Sequence, residues 1–275
     1  MAKKKNIFKS KNAQNGGSPA ADSLPVEPPK SGDGQPQTPS PLFYKDPHPI
    51  HATRHAGKGL KKAENFGFAK EAHAVALHTQ EFRLAAASYP IVFTDEDPPM
   101  PLAVLGVREG ENLFVDEKGQ WAAGTYVPAY VRRYPFATGQ GVQEGEQILY
   151  VDEACERIVD READPDAEPL FVDGEPSERT EQIREFCAAF QQQAPVTIAF
   201  TEEIKKRDLL ASKEIRLDLP GGGSQLLTGL RILEEDKFNA LPDDVFLEWR
   251  RNGWLPLVYW HWVSMDNFLR LLQRR

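Results

Sequence analysis

"YVPAYVRRYPF", Tyr126–Phe136, brings together three tyrosines, two prolines and two adjacent arginines. Pro128 suits the first position of a helix, where a missing N–H costs nothing. Val127, Tyr130, Val131 and Tyr134 then recur at i, i+3, i+4 and i+7, which makes one apolar stripe. Arg132 and Arg133 fall off that stripe and are expected at its rim. Pro135 stops the helix, because the residue before a proline is pushed toward extended backbone. The stretch therefore predicts a buried tyrosine seam with an arginine edge. That edge either pairs with acidic neighbours or holds a carboxylate or phosphate bidentately.

The same junction occurs upstream. "TQEFRLAAASYPIVF" predicts a helix, a Tyr-Pro stop at Tyr89–Pro90 and a strand. "PLAVLGV" and "EQILYVDE" have strand character, and "EPLFVDGEP" is a short strand entering a turn. "NLFVDEKGQW" has the form of a hairpin turning at Asp116–Gly119. "SERTEQIREFCAAFQQQ" predicts an amphipathic helix capped by Ser177, with Ile183, Phe186, Cys187 and Phe190 as its buried stripe. A second helix is expected around "TIAFTEEIKKRDLL". "KEIRLDLPGGGSQLLTGLRILEE" predicts a hairpin with a glycine turn at Gly221–Gly223. "LPDDVFLEWRRNG" predicts a helix stopped by Gly253, and "SMDNFLRLLQRR" a terminal helix capped by Ser264. Short turns between strands favour an α+β fold, mostly antiparallel sheet with hairpins packed against several short helices. Residues 1–48, rich in Pro, Gly, Ser and Gln, are expected to be a disordered tail ahead of a single domain over 49–275.

The 275 residues are 40% hydrophobic and 27% charged, with a formal net charge of −8. An acidic balance argues against a general nucleic-acid binder. Two cysteines form no ligand cluster or disulfide framework, and both are read as reduced and structural. No apolar run reaches the roughly 20 residues of a membrane helix, and the basic start lacks the apolar run of a secretory signal. The expected setting is the cytoplasm.

Several groups could carry chemistry. His48, His51 and His55 crowd together in "HPIHATRH", with His73 and His78 further on. They lack a metalloprotease pattern and a cysteine partner, so they are read as loop histidines, with no metal and no cofactor expected. Asp116, Asp152 and Asp173 each end an apolar strand and are read as turn residues. "GGGSQ" sits between strands, unlike a phosphate loop. The tryptophans near the C-terminus are read as core and rim, with Trp260 and Trp262 on one face of a strand, a partly exposed ring-lined patch.

"YPIVF", "PLAVLGVREGENLFVDEKGQW", "YVPAYVRRYPF" and "LTGLRILEEDKFNALPDDVFLEWRRNGWLPLVYWHWVSMDNFLRLL" together resemble the bacterial SapC family, over about residues 50–275. The family is named for a protein encoded alongside a surface-layer system. The resemblance therefore implies a role in surface-layer assembly or export and a place at the cell surface; it carries no catalytic residues across. The expected function is that of a non-enzymatic accessory protein. It would engage a protein or small acidic partner through Arg132 and Arg133, with Tyr130, Trp260 and Trp262 as further binding residues. The rival is an enzyme or enzyme helper using Asp116 or Asp152 in an acidic cleft.

Overall fold

The computed structural model describes residues 42–62, 64–140, 147–218 and 224–274. In chain order the strands are β1 (Pro47–Pro49), β2 (Lys58–Leu60), β3 (Ala74–Ala76), β4 (Ile91–Phe93), β5 (Pro101–Val104), β6 (Phe136–Gln140), β7 (Gln147–Asp152), β8 (Ile158–Asp160), β9 (Glu168–Pro169), β10 (Phe171–Val172), β11 (Glu175–Pro176), β12 (Leu210–Asp218) and β13 (Ser224–Leu233). The helices are α1 (Phe82–Ala85), α2 (Ala129–Arg132), α3 (Glu178–Lys206), α4 (Glu235–Asn239), α5 (Asp243–Asn252), α6 (Leu255–Ser264) and α7 (Asn267–Gln273).

The fold is α+β with antiparallel sheets. The largest sheet runs β12-β13-β4-β5-β3, and two three-stranded sheets run β1-β7-β6 and β8-β2-β9. Every strand pair among the described residues is antiparallel. Ile91, Val92 and Phe93 of β4 are buried on both faces, as a strand covered on each side requires. α6 packs against α1, β4 and β13 on one side of this sheet. Both Tyr-Pro junctions fold as expected, α1 leading to β4 and α2 to β6. The hairpin around Asp116 is reduced to one bridge, Val115 to Trp121. The β12–β13 hairpin forms, although its glycine turn lies outside the described residues.

α3 departs from expectation. The two helices anticipated there are one helix of 29 residues that passes through Pro195. Proline removes one intrahelical hydrogen bond and crowds the preceding turn. Here Pro195 faces solvent, where water can satisfy the freed carbonyl. The buried stripe of Phe190, Ala194, Thr197, Phe200, Thr201 and Ile204 continues past it without interruption. α3 thereby joins two cores. Ile183 and Cys187 belong to a small cluster with Leu60, Phe136, Leu149 and Val151, whereas Phe190, Phe200 and Ile204 belong to the main one.

Packing also starts earlier than residue 49. Tyr44 is buried, its hydroxyl donates to the Phe136 carbonyl at 2.6 Å, and β1 pairs with β7. Asp152 clasps this segment. Its carboxylate, fully buried, accepts the N–H groups of Lys45 (3.1 Å), Asp46 (2.8 Å) and Ala154 (3.2 Å) and the Tyr134 hydroxyl (2.9 Å).

At the C-terminal end, α5 begins after Pro242 and stops at Gly253, which is left-handed at φ 72°. Ser264 does not cap the terminal helix. It closes α6, where its hydroxyl accepts from the Ile91 N–H at 2.9 Å, and α7 starts after Asp266. Cys155 and Cys187 are free and buried, and burial pushes the Cys187 thiol up to about 12.

Two buried histidines make the fold acid-sensitive. His261 accepts the Leu233 N–H at 3.1 Å, and His78 lies against Thr197 and Phe190. Burial lowers both to about 4. Below pH 6.5 the unfolded chain binds protons that the folded chain refuses. Stability is therefore full above that pH and falls toward pH 4, by about 3 kcal/mol per histidine at the limit. Glu81, raised by burial, opposes this in part. Urea unfolding at pH 7 and pH 4.5 is expected to show a clearly lower midpoint in acid. Equal midpoints would contradict two neutral buried imidazoles.

Candidate functional site

A cleft of about 270 Å³ opens where the end of α2, the start of β6, the loop between β7 and β8 and the first turns of α3 meet. Arg132, Arg133, Arg157 and Arg179 line it, and Glu64 is the acid among the described lining residues. Gln182 adds an amide. Leu60, Phe136, Ile183 and Phe186 form an apolar wall.

The cleft is built from Glu81 upward. This buried carboxylate accepts the His78 N–H (3.0 Å), the Ala129 N–H at the start of α2 (2.7 Å) and the Tyr126 hydroxyl (2.9 Å). Tyr126 in turn accepts from Arg132 Nη2 at 3.1 Å, while Arg132 Nε donates to the Val127 carbonyl at 3.0 Å. The carboxylate that anchors α2 thus also fixes Arg132, which rests 5.1 Å over the Phe186 ring. The far wall is set by Ser177, whose hydroxyl accepts the Thr180 N–H at 3.1 Å and starts α3.

Arg133 corrects the expectation of a rim residue. It is only 6% exposed. α2 is a single turn, so Arg133 follows the chain inward as that turn ends, and α3 crosses over the face that a helical wheel would leave to solvent. Its guanidinium carbon lies 4.5 Å from the ring centroids of both Tyr130 and Phe190, and 5.9 Å from that of Tyr44. Such stacking is worth about 0.5–2 kcal/mol. Its Nε is buried with no hydrogen-bond partner, and no ion pair joins it to a carboxylate among the described residues. Arg157 Nε is likewise buried and unpartnered. Arg179 is exposed and pairs with Glu168 at 3.1 Å. A buried donor without a hydrogen-bond partner is costly; Arg231 Nε and Trp249 Nε1 share that state elsewhere in the fold, and what sets Arg133 and Arg157 apart is that both residues line one cleft.

The tyrosine seam forms as expected: Tyr130, Val131 and Tyr134 are buried. Tyr130 supports Arg133 through its ring. Trp260 and Trp262 are not on a strand; they lie on α6, about 200° apart around the helix, and neither lines the cleft. Trp262 donates to the Leu233 carbonyl at 3.0 Å, and both rings pack against the main core.

Asp116 is a turn residue, its Oδ1 accepting the N–H groups of Lys118 and Gln120 at 2.9 and 2.8 Å. Asp152 is wholly engaged in its clasp. His48, His51 and His55 gather near Glu153, with the His51 N–H donating to His55 Nδ1 at 3.0 Å, but His73 and His78 do not join them. His73 is exposed, His78 sits in the main core, and His55 contacts Glu153 at 3.0 Å. Asp46, His48 and Glu153 bring ligand atoms within 4.8 Å of one another, but the Arg54 guanidinium already holds Glu153, at a pKa lowered to about 2.

Arg157 and Arg179 were not read from the sequence. Arg157 stands alone in a loop, and only topology brings it in. Arg179 did carry a signal: it continues the stripe of Ile183, Phe186, Cys187 and Phe190, where a cation on an apolar face calls for an explanation.

The SapC family model matches residues 50–271. No curated protein and no solved structure matches the chain.

Proposed function

We propose that this chain, which belongs to the SapC family, works as a non-enzymatic accessory protein that captures an anionic group of a protein partner in the four-arginine cleft. The observation that carries this reading is Arg133: a buried cation, stacked between rings and unmatched by a carboxylate among the described residues. Within the fold, ring stacking is what offsets the burial of this charge, whereas an incoming anion would pair it. The family's name links this role to surface-layer assembly or export, which sets the kind of partner to be sought. No helix of the described residues is long and apolar enough to cross a membrane.

Replacing Arg132 and Arg133 together by alanine would open a hole beneath α3, so a cleaner test uses the exposed cations. The variant Arg132→Gln with Arg179→Gln is expected to keep its thermal midpoint within about 2 °C. Partner capture by the immobilised full chain from native cells should fall at least about tenfold, the loss of one or two charge-assisted hydrogen bonds. Undiminished capture by a folded double variant would refute the assignment.

A further inference from the structure

We propose that the cleft recognises a phosphate monoester carried on an apolar or aromatic group. This rests on the reading of the cleft as an anion site and narrows its ligand. Charge is the first argument. Four arginines against Glu64, with Arg179 already paired to Glu168, leave a formal excess of two positive charges along the described lining. A carboxylate offers one negative charge, and a phosphate monoester about 1.5 to 2 at neutral pH, with three strong acceptor oxygens.

Donor placement is the second. One guanidinium fork saturates a planar carboxylate. Here the guanidiniums that line the cleft come from separate elements, Arg132 and Arg133 at the end of α2, Arg157 in the loop after β7 and Arg179 at the start of α3. Arg133 is more than nine-tenths buried and lies against two rings. Donors reaching in from different walls suit a tetrahedral oxyanion better than a flat one. Arginine is also the side chain suited to this task, since its weak hydration lowers the cost of burying it against the ligand.

The apolar wall is the third. Phe136, Ile183 and Phe186 stand beside the guanidiniums, and the cleft of about 270 Å³ has room beyond that of a bare ion. An ester substituent would lie against these rings, with Arg132 over Phe186 closing the side. Inorganic phosphate would leave that wall wet.

Calorimetric titration of the full chain with phenyl phosphate, inorganic phosphate and phenylacetate tests the proposal. Phenyl phosphate is expected to bind at least about tenfold more tightly than either of the others. Arg157→Gln should weaken it about tenfold or more at an unchanged thermal midpoint, and Phe186→Ala should erase its advantage over inorganic phosphate. A phosphotyrosine peptide distinguishes the sources: tighter binding than phenyl phosphate assigns the ester to a partner's side chain, and equal or weaker binding assigns it to a free small molecule. The proposal is overturned if phenylacetate matches phenyl phosphate, if Arg157→Gln leaves phenyl phosphate binding intact, or if no phosphate binds. In each of those cases arginine-dependent partner capture would still uphold the anion-capture reading, whereas capture that ignores Arg132 and Arg179 would remove the reading itself.

Discussion

Replacing Asp152 by alanine is expected to cost about 3 kcal/mol of unfolding free energy, the largest single effect on stability that the cleft's surroundings should show. Four donors meet this carboxylate: the N–H groups of Lys45, Asp46 and Ala154 and the Tyr134 hydroxyl. Alanine would leave the Tyr134 hydroxyl without an acceptor inside a ring cluster with Tyr44 and Phe68. It would also release Lys45 and Asp46, and with them the strand β1. The amides of exposed residues regain water, so the cost should stay below the sum of four buried bonds. Asp152→Asn should recover only part of it, because one carboxylate oxygen becomes a donor facing donors. Urea unfolding measures both variants. A loss under about 1 kcal/mol in the alanine variant would mean that Asp152 is not a clasp, and would reopen its rival role as an acid or base.

The second large effect separates stability from function at one residue. Arg133→Met is expected to leave the unfolding free energy unchanged or raise it by about 1 kcal/mol, while lowering partner capture about a hundredfold. Methionine is close to the arginine stem in length, adapts its shape and packs well against the Tyr130 and Phe190 rings. What it removes is a buried charge with an unpartnered donor. The stacking energy it gives up is about the size of the burial cost it relieves. A strongly destabilised Arg133→Met chain would make the arginine a structural residue and would take away the main support for an anion site.

How much of this was legible depends on how far apart the interacting residues lie in the chain. α5 was readable because all its signals are local: Pro242 before it, Asp243 and Asp244 in its first turn, Arg250 and Arg251 in its last, Gly253 after it. Ser177 and the Tyr130–Tyr134 stripe were readable for the same reason. "WLPLVYWHWV" was not, since a ten-residue apolar run fits a strand or a helix. The buried set Leu257, Val258, His261 and Ser264 follows helical spacing, and Pro256 starts the turn, but the alternating Trp260 and Trp262 masked it. The two helices expected on either side of Pro195 are one, although propensity weighs against proline inside a helix. Tertiary packing outweighed it, since the stripe that α3 buries continues past that residue on the opposite face.

The cleft was half legible. Arg132 and Arg133 stood out as a pair, and their helix was correctly placed. The burial of Arg133 depends on Phe190, which lies 57 positions further along and arrives on another helix. Arg157 and Arg179 come from a loop and a helix start that no local pattern links to α2. Leu42–His48 reads as the end of a proline-rich leader because it has no period, yet Phe43 and Tyr44 pin it against Phe68 and Tyr134.

The central claim is that an anion completes Arg133, and thermal unfolding in phosphate against chloride at matched ionic strength tests it most directly. Phosphate stabilises most proteins somewhat by exclusion from their surfaces, so the full chain and Arg133→Met must be compared side by side. The account predicts that phosphate raises the midpoint of the parent chain by several degrees more than that of Arg133→Met, as mass action on a folded-state site requires. Equal shifts in the two chains would contradict it.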